Sequence, residues 1–116
     1  MANEDCLFCR IAAGEIPADI VHEDDEVIAF RDISPKAPVH ILIIPRQHIT
    51  SAASLTPANG PLLGQLFGVA AQLARDEGVA RSGFRLTTNA GRGAGQSVPH
   101  LHFHLMGGRQ MGWPPG

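Results

Sequence analysis

The chain has 116 residues and a formal net charge of -2, which leaves room for one domain with one core. Lys36 is the only lysine and the arginines are dispersed, so no basic stripe is available to a nucleic-acid backbone, and nucleic acid is excluded as an expected partner. No apolar run reaches membrane-spanning length, and the acidic start Met1-Ala2-Asn3-Glu4-Asp5 lacks the basic-then-apolar layout of a secretory signal, so the expected location is the cytoplasm, away from membranes.

Cys6 to Ala13 reads as a short helix, with Leu7, Phe8 and Ile11 on one side, Gly14 just past its end and Pro17 preventing continuation. In a reducing compartment Cys6 and Cys9 are a reduced thiol pair or half of a metal site, not a structural disulfide. Ile20 to His22 and Val27 to Phe30 are expected as two strands. The acidic run Glu23-Asp24-Asp25-Glu26 between them reads as a solvated hairpin tip. A turn-rich connector from Asp32 to Pro38 follows. Val39 to Ile44 is β-branched and almost wholly apolar, the mark of a central strand buried on both faces, with His40 as its polar exception and Pro45 at its end.

Thr50 to Leu55 suggests a helical turn, and Thr56-Pro57 opens the one long helix, running to about Gly78. Its apolar stripe is Leu62, Leu66, Val69, Ala70 and Leu73. Gly60, Gly64 and Gly68 fall four apart on a second face. Each costs about 1 kcal/mol against alanine, so a close contact with another helix, across a dimer, is expected there. Gly83 to Thr88 reads as a strand, Asn89 to Ser97 as a glycine-containing loop, Pro99 to Met106 as a last strand, and 107–116 as an irregular tail. Five strands with mostly short connections, one long helix and one short helix make an α+β fold with an antiparallel sheet, in a single domain over 1–116.

Pro99-His100-Leu101-His102-Phe103-His104-Leu105-Met106 carries the chemistry. Alternation in a strand puts His100, His102 and His104 on one face and Leu101, Phe103 and Leu105 on the other; a helix would scatter them. A neutral imidazole is a nucleophile at physiological pH, and neighbouring imidazoles can hold or deliver protons. Just upstream, Gly91, Gly93 and Gly95 allow backbone N–H groups to converge and Ser97 adds a hydroxyl, an arrangement suited to a phosphate. By spacing alone a three-histidine metal site or a structural set remains open.

Ser97-Val98-Pro99-His100-Leu101-His102-Phe103-His104-Leu105-Met106 resembles the signature of the histidine-triad (HIT) nucleotide-binding family. Gly14-Glu15-Ile16-Pro17, Phe30-Arg31-Asp32-Ile33-Ser34-Pro35, Ala37-Pro38-Val39-His40 and the segment from Gly107 to Gly116 resemble its Hint branch, the purine-nucleoside phosphoramidases. The resemblance implies a homodimer whose two five-stranded sheets join into one of ten. It also implies hydrolysis of purine nucleoside 5′-phosphoramidates and acyl adenylates to the monophosphate, with no organic cofactor. His102 would attack the α-phosphorus to form a nucleotidyl-histidine. His104 would contact the phosphate, and His40 and His100 would complete the imidazole network. Ser97, Asn89, Gln96 and Gly95 would hold the phosphate. Asp32, beside Ile33, would accept hydrogen bonds from the ribose hydroxyls. Leu7, Phe8, Ile11 and Phe30 would form the base pocket. Read without the family, Asp32 and Asn89 are turn residues, and Phe8 and Phe30 are core.

Cys6-x-x-Cys9 supplies two zinc ligands of four. Zinc-bearing members of the wider family look similar, with a histidine at about the place of His48 and the first triad histidine completing the set. A structural zinc at Cys6, Cys9, His48 and His100 is therefore expected, and it would withdraw His100 from proton transfer. Gly112 stands where Hint relatives commonly carry histidine, and Trp113 is expected near the partner's active site, shaping leaving-group preference. Arg92 is the only cation near the site in sequence, which favours a singly phosphorylated substrate over a dinucleoside polyphosphate. The competing readings are a dinucleoside polyphosphate hydrolase, a nucleotidyltransferase and a zinc-binding scaffold protein.

Overall fold

The computed structural model describes residues 5–116; the segment 1–4, which carries most of the acidic start, lies outside the described residues. Strand β3 (Val39–Pro45) is buried at every position, as its β-branched run requires. The sheet grows outward from it. On one side lie β2 (Val27–Arg31) and the edge strand β1 (Ile20–Glu23); on the other lie β5 (Phe103–Gly107) and the edge strand β4 (Phe84–Thr87). Every neighbouring pair is antiparallel. The short helix α1 spans Leu7–Ala12 and the long helix α2 Gly60–Asp76, with 3₁₀ turns at Ala52–Ser54, Pro57–Asn59 and Arg92–Ala94. This is the expected five-stranded antiparallel α+β fold.

The two faces of the sheet are covered unequally, and that inequality places the site. Val39, Ile41 and Ile43 of β3, with Val27, Ala29, Leu101, Phe103 and Leu105, pack under Leu66, Val69, Ala70 and Leu73 of α2. Burial of one such side chain contributes about 1.5–3 kcal/mol. On the opposite face α1 covers only the β2–β3 half, where Phe8, Cys9 and Ile11 meet Ile28, Phe30, Leu42 and Ile44. Across β5 and β4 that same face is only half-buried. His104 stands between Leu42 and Thr87, and Met106 between His40 and Arg85.

The element ends differ slightly from expectation. Cys6 is not the first residue of α1 but its N-cap, its Sγ accepting the Cys9 N–H at 3.3 Å. The first turn after Thr56 is 3₁₀, held by a capping box with Asn59, so α2 proper begins at Gly60; it ends at Asp76 because Gly78, at φ +76°, turns the chain away. The histidine strand joins the ladder only at Phe103. Before that, the Leu101 N–H donates to the Ile49 carbonyl at 2.6 Å, outside the sheet, while Leu101 still points into the core. The hairpin tip is less solvated than expected: Asp24 is half-buried. Burial would raise its pKa, but hydrogen bonds from His22, the Glu26 and Val27 N–H groups and Gln65 outweigh it and hold the carboxyl well below the usual range. The glycine stripe of α2 finds no partner within the described residues. A Cβ at Gly60, Gly64 or Gly68 would meet nothing within 4 Å, and Phe67 beside them is 52% exposed.

At Gly107 the reverse holds, since a Cβ there would come within 2.8 Å of Val79 Cβ. Gly107→Ala is therefore expected to cost about 1–3 kcal/mol by overpacking. In urea denaturation the double variant Gly107→Ala/Val79→Gly, which removes that Cβ, should lose less stability than the two single losses added together; strict additivity would show that the two positions do not collide.

Candidate active site

The directions of hydrogen bonds order the histidines. His102 Nδ1 lies 2.7 Å from the His100 carbonyl. A carbonyl only accepts, so Nδ1 carries the proton and the lone pair of His102 is on Nε2. The Lys36 N–H donates to His40 Nδ1 at 3.0 Å, which puts the His40 proton on Nε2. From there it donates to His104 Nδ1 at 2.9 Å, with Asp32 Oδ2 at 3.5 Å from the same nitrogen. His104, its Nδ1 accepting, carries its own proton on Nε2. The His102 and His104 rings are 5.1 Å apart between centroids. One ring thus offers a lone pair and its neighbour an N–H.

Burial favours the neutral forms of His104 and His40. It pushes His104 down to about 4, with the nearby His102 and His40 rings adding to the effect. It also lowers His40, where Lys36 helps and Asp32 opposes. Phe8 fixes His102 from the side, edge to face at 5.1 Å, and meets Phe30 in the same way at 5.5 Å. The short helix therefore positions the central histidine as well as covering the core.

Two cavities flank these rings. One, of about 190 Å³, is lined by Leu7, Phe8, Ile11, Phe30, Ile33 and Leu42, with Asp32 among its walls. Leu7 is half-exposed and Ile33 fully exposed, because both line a cavity and not the core. Asp32 Oδ1 accepts the Ser34 N–H at 2.7 Å, so it closes the turn and faces the cavity at once. The other cavity, of about 330 Å³, is lined by His40, His104, Asn89, Lys36, Arg85 and Arg109, among others. Arg92 is thus not the only cation near the site. The antiparallel register of β4 on β5 brings Arg85 beside the triad, and the chain reversal after β5 brings Arg109. Sequence distance hid Arg85, which strand pairing could have found, whereas Arg109 lies only five residues beyond His104 and was passed over as part of the tail.

The glycine loop lies at the exposed rim. Gly91 and Gly95 have φ of +88° and +85°, which favour glycine, and Gly95 and Ser97 are exposed. Asn89 Nδ2 donates to the Ala94 carbonyl at 2.9 Å. The Gln96 side chain is engaged within the fold, accepting the Gly91 N–H and donating to the Thr50 and Val98 carbonyls.

His100 stands apart from the other two triad members. It is fully buried, its Nε2–H donates to the Pro45 carbonyl at 2.8 Å, and its Nδ1 lone pair faces Cys6 Sγ at 3.2 Å and Cys9 Sγ at 3.5 Å. His48 Nδ1 is 3.2 Å from Cys9 Sγ. One ligand atom from each of Cys6, Cys9, His48 and His100 lies within 4.8 Å of the rest, and this group could hold a metal. Zinc bonds of about 2.0–2.3 Å in a tetrahedron imply ligand separations of about 3.3–3.8 Å, which the S···N contacts approach. The Pro45 carbonyl fixes the His100 tautomer that such a bond needs. Asp32, His40 and His104 also gather three ligand atoms, but His40 and His104 are already hydrogen-bonded to each other through two of them.

The HIT domain family model matches residues 13–111 of the chain. A purine nucleoside phosphoramidase of Escherichia coli strain K12 is 49% identical over 109 residues, covering 94% of this chain and 92% of its own. A HIT-like protein of Synechococcus elongatus is 49% identical over 98% of this chain and 99% of its own. The crystal structure of a HIT family hydrolase from Legionella pneumophila Philadelphia 1 superposes with a TM-score of 0.95 at 51% identity, covering 97% of this chain and 100% of that one.

The depressed His104 value has a sign. Between about 4 and 6.5 the unfolded chain binds a proton on this ring that the folded protein does not, so its contribution is complete above 6.5 and is lost as pH falls toward 4. Chemical-denaturation midpoints of the protein are expected to decline over that window, and more shallowly in His104→Gln. Equal slopes would contradict the assignment. Loss of the Asp24 network belongs to a lower window, because a depressed carboxylate gives up its stabilisation only below its ordinary value.

Proposed function

This chain belongs to the HIT domain family, and from that premise we propose that it is a hydrolase that cleaves purine nucleoside 5′-phosphoramidates or acyl adenylates to the nucleoside monophosphate through a nucleotidyl-histidine. The observation that carries the reading is the 2.7 Å bond from His102 Nδ1–H to the His100 carbonyl. It leaves Nε2 unprotonated and aimed away from the backbone. The base would enter the apolar cavity beside Phe8 and Phe30, and Asp32 would accept the ribose hydroxyls. The α-phosphate would then lie over the His102–His104 pair, held by Ser97, Asn89, Gly95 and the backbone of Gln96.

His102 Nε2 forms a bond to phosphorus as the phosphorus–nitrogen bond to the amine breaks. The departing amine takes the Nε2 proton of His104, and the His40 Nε2–H bonded to its Nδ1 stabilises the ring until that proton is returned. Water then attacks phosphorus on the side opposite His102, gives a proton back to His104 Nε2, and releases the monophosphate and a free His102. The distinct engagement of His100 supports a positioning role for it, through its carbonyl, with its ring outside the proton path.

Cys6, Cys9, His48 and His100 would hold a structural zinc, which would tie α1 to the chain ahead of β5. Their two buried free thiols fit a reducing compartment, the cytoplasm, and no helix among the described residues is long and apolar enough to cross a membrane. The protein would act as one domain and pair with a second copy through the unpartnered glycine face of α2, beside Phe67, and the free edge of β4. Trp113, 85% exposed, would lie against that copy.

With a fluorogenic adenosine 5′-phosphoramidate, His102→Ala is expected to lose at least about 10³-fold in kcat, the scale of removing a covalent nucleophile. Equal turnover by the two proteins would remove His102 as the nucleophile, and no turnover by either would leave a binding protein with an inactive pocket. Metal analysis of tag-free protein is expected to give about one zinc per chain, abolished in Cys6→Ser/Cys9→Ser; absence of zinc from the parent protein would remove the metal reading and leave the hydrolase reading in place.

A further inference from the structure

We propose that the cationic cavity beside His104 is the leaving-group subsite, and that it selects amines bearing an anion of their own, a carboxylate or a phosphate, three to four bonds from the nitrogen that departs. The inference rests on the hydrolase reading above and deepens it. The cavity of about 330 Å³ is walled by Lys36, Arg85 and Arg109, with no aspartate or glutamate among its lining residues. The apolar cavity on the other side of the site carries Asp19, Asp32 and Arg31, the last paired with Asp19 and Glu77, and is suited to a neutral nucleoside. The two ends of the site therefore differ in charge.

None of the three cations is ion-paired among the described residues, whereas Arg10, Arg31 and Arg46 each face a carboxylate. Lys36 Nζ donates once, to the Ser34 carbonyl. Arg85 donates to the Gly112 carbonyl at 2.6 Å, and Arg109 to the carbonyls of Lys36 and Gln110. These carbonyl contacts fix where the cations stand without neutralising them. Each cation keeps at least one N–H for a ligand, since a guanidinium has five and an ammonium three.

The position fits a leaving group. In-line displacement puts the departing nitrogen on the side of phosphorus away from His102 Nε2. His102 is not a lining residue of this cavity, whereas His104, which would protonate that nitrogen, is. The remaining walls are Thr87, Asn89, Met106, Met111 and Pro115, so a short aliphatic stem would run past thioether and proline surface to reach the charges. A neutral amine would make only the apolar contacts.

Three adenosine 5′-phosphoramidates test this: those of propylamine, β-alanine and 2-aminoethyl phosphate. The first two have the same length and differ in the terminal carboxylate; the third carries phosphate. For the parent protein kcat/KM is expected to be about tenfold higher for β-alanine than for propylamine at low salt, the size of one well-formed charge contact, mainly through KM and shrinking as salt is added. In Arg85→Gln/Arg109→Gln the ratio within that one protein should fall toward unity, so a general loss of stability cancels. A higher ratio for the aminoethyl phosphate compound than for β-alanine assigns the subsite to phosphate; the reverse assigns it to carboxylate. Turnover of all three with a parent ratio near unity, or a ratio that the double variant leaves unchanged, overturns the subsite and leaves the hydrolase standing. No turnover of any of the three by folded protein overturns both.

Discussion

The site depends on one backbone carbonyl. The oxygen of His100 accepts the Nδ1 proton of His102 and so decides which nitrogen of the central ring has the lone pair. That carbonyl has its position because the His100 ring is anchored in the protein, on the Pro45 carbonyl through Nε2 and against two thiols through Nδ1. Each histidine of the triad has a different task for this reason. The first is a buried anchor, the second presents a lone pair, and the third, wired to His40, presents a proton.

That division draws on neutral rings, and burial favours them at His40, His100 and His104. Four imidazoles share a small region, and charging one raises the cost of charging the next. His104 is depressed by burial first and by His102 and His40 after it. Lys36 adds to the same effect at His40, and Asp32 opposes it. The helix α1 completes the arrangement by placing Phe8 edge-on against His102 while its first turn contributes the two cysteines. A single six-residue helix thus joins the apolar cavity, the central histidine and the candidate metal ligands.

Much of this was legible in the chain. Alternation of apolar residues and histidine around Leu101, Phe103 and Leu105 fixed which face each takes, and the β-branched run from Val39 marked the central strand. The family signature located the triad, Asp32 and the loop. Other features were not legible, for definite reasons. The withdrawal of His100 from its neighbours depends on where the Ile49 carbonyl draws the chain out of the ladder, a contact 52 residues away by number. The cations around His104 come from a connector, an edge strand and the tail, and strand register brings them together. The glycine stripe on α2 was visible as a pattern, but nothing among the described residues packs against it.

The central claim is that Nε2 of His102 bonds to phosphorus during turnover. Acid- or denaturant-quenched reactions with an adenosine phosphoramidate, digested and mapped by tandem mass spectrometry, test it most directly. The account predicts a fragment carrying the mass of adenylate on His102 that disappears as substrate is exhausted. Adenylate on a different histidine, or turnover with no labelled peptide under conditions that preserve a phosphohistidine standard, would contradict it.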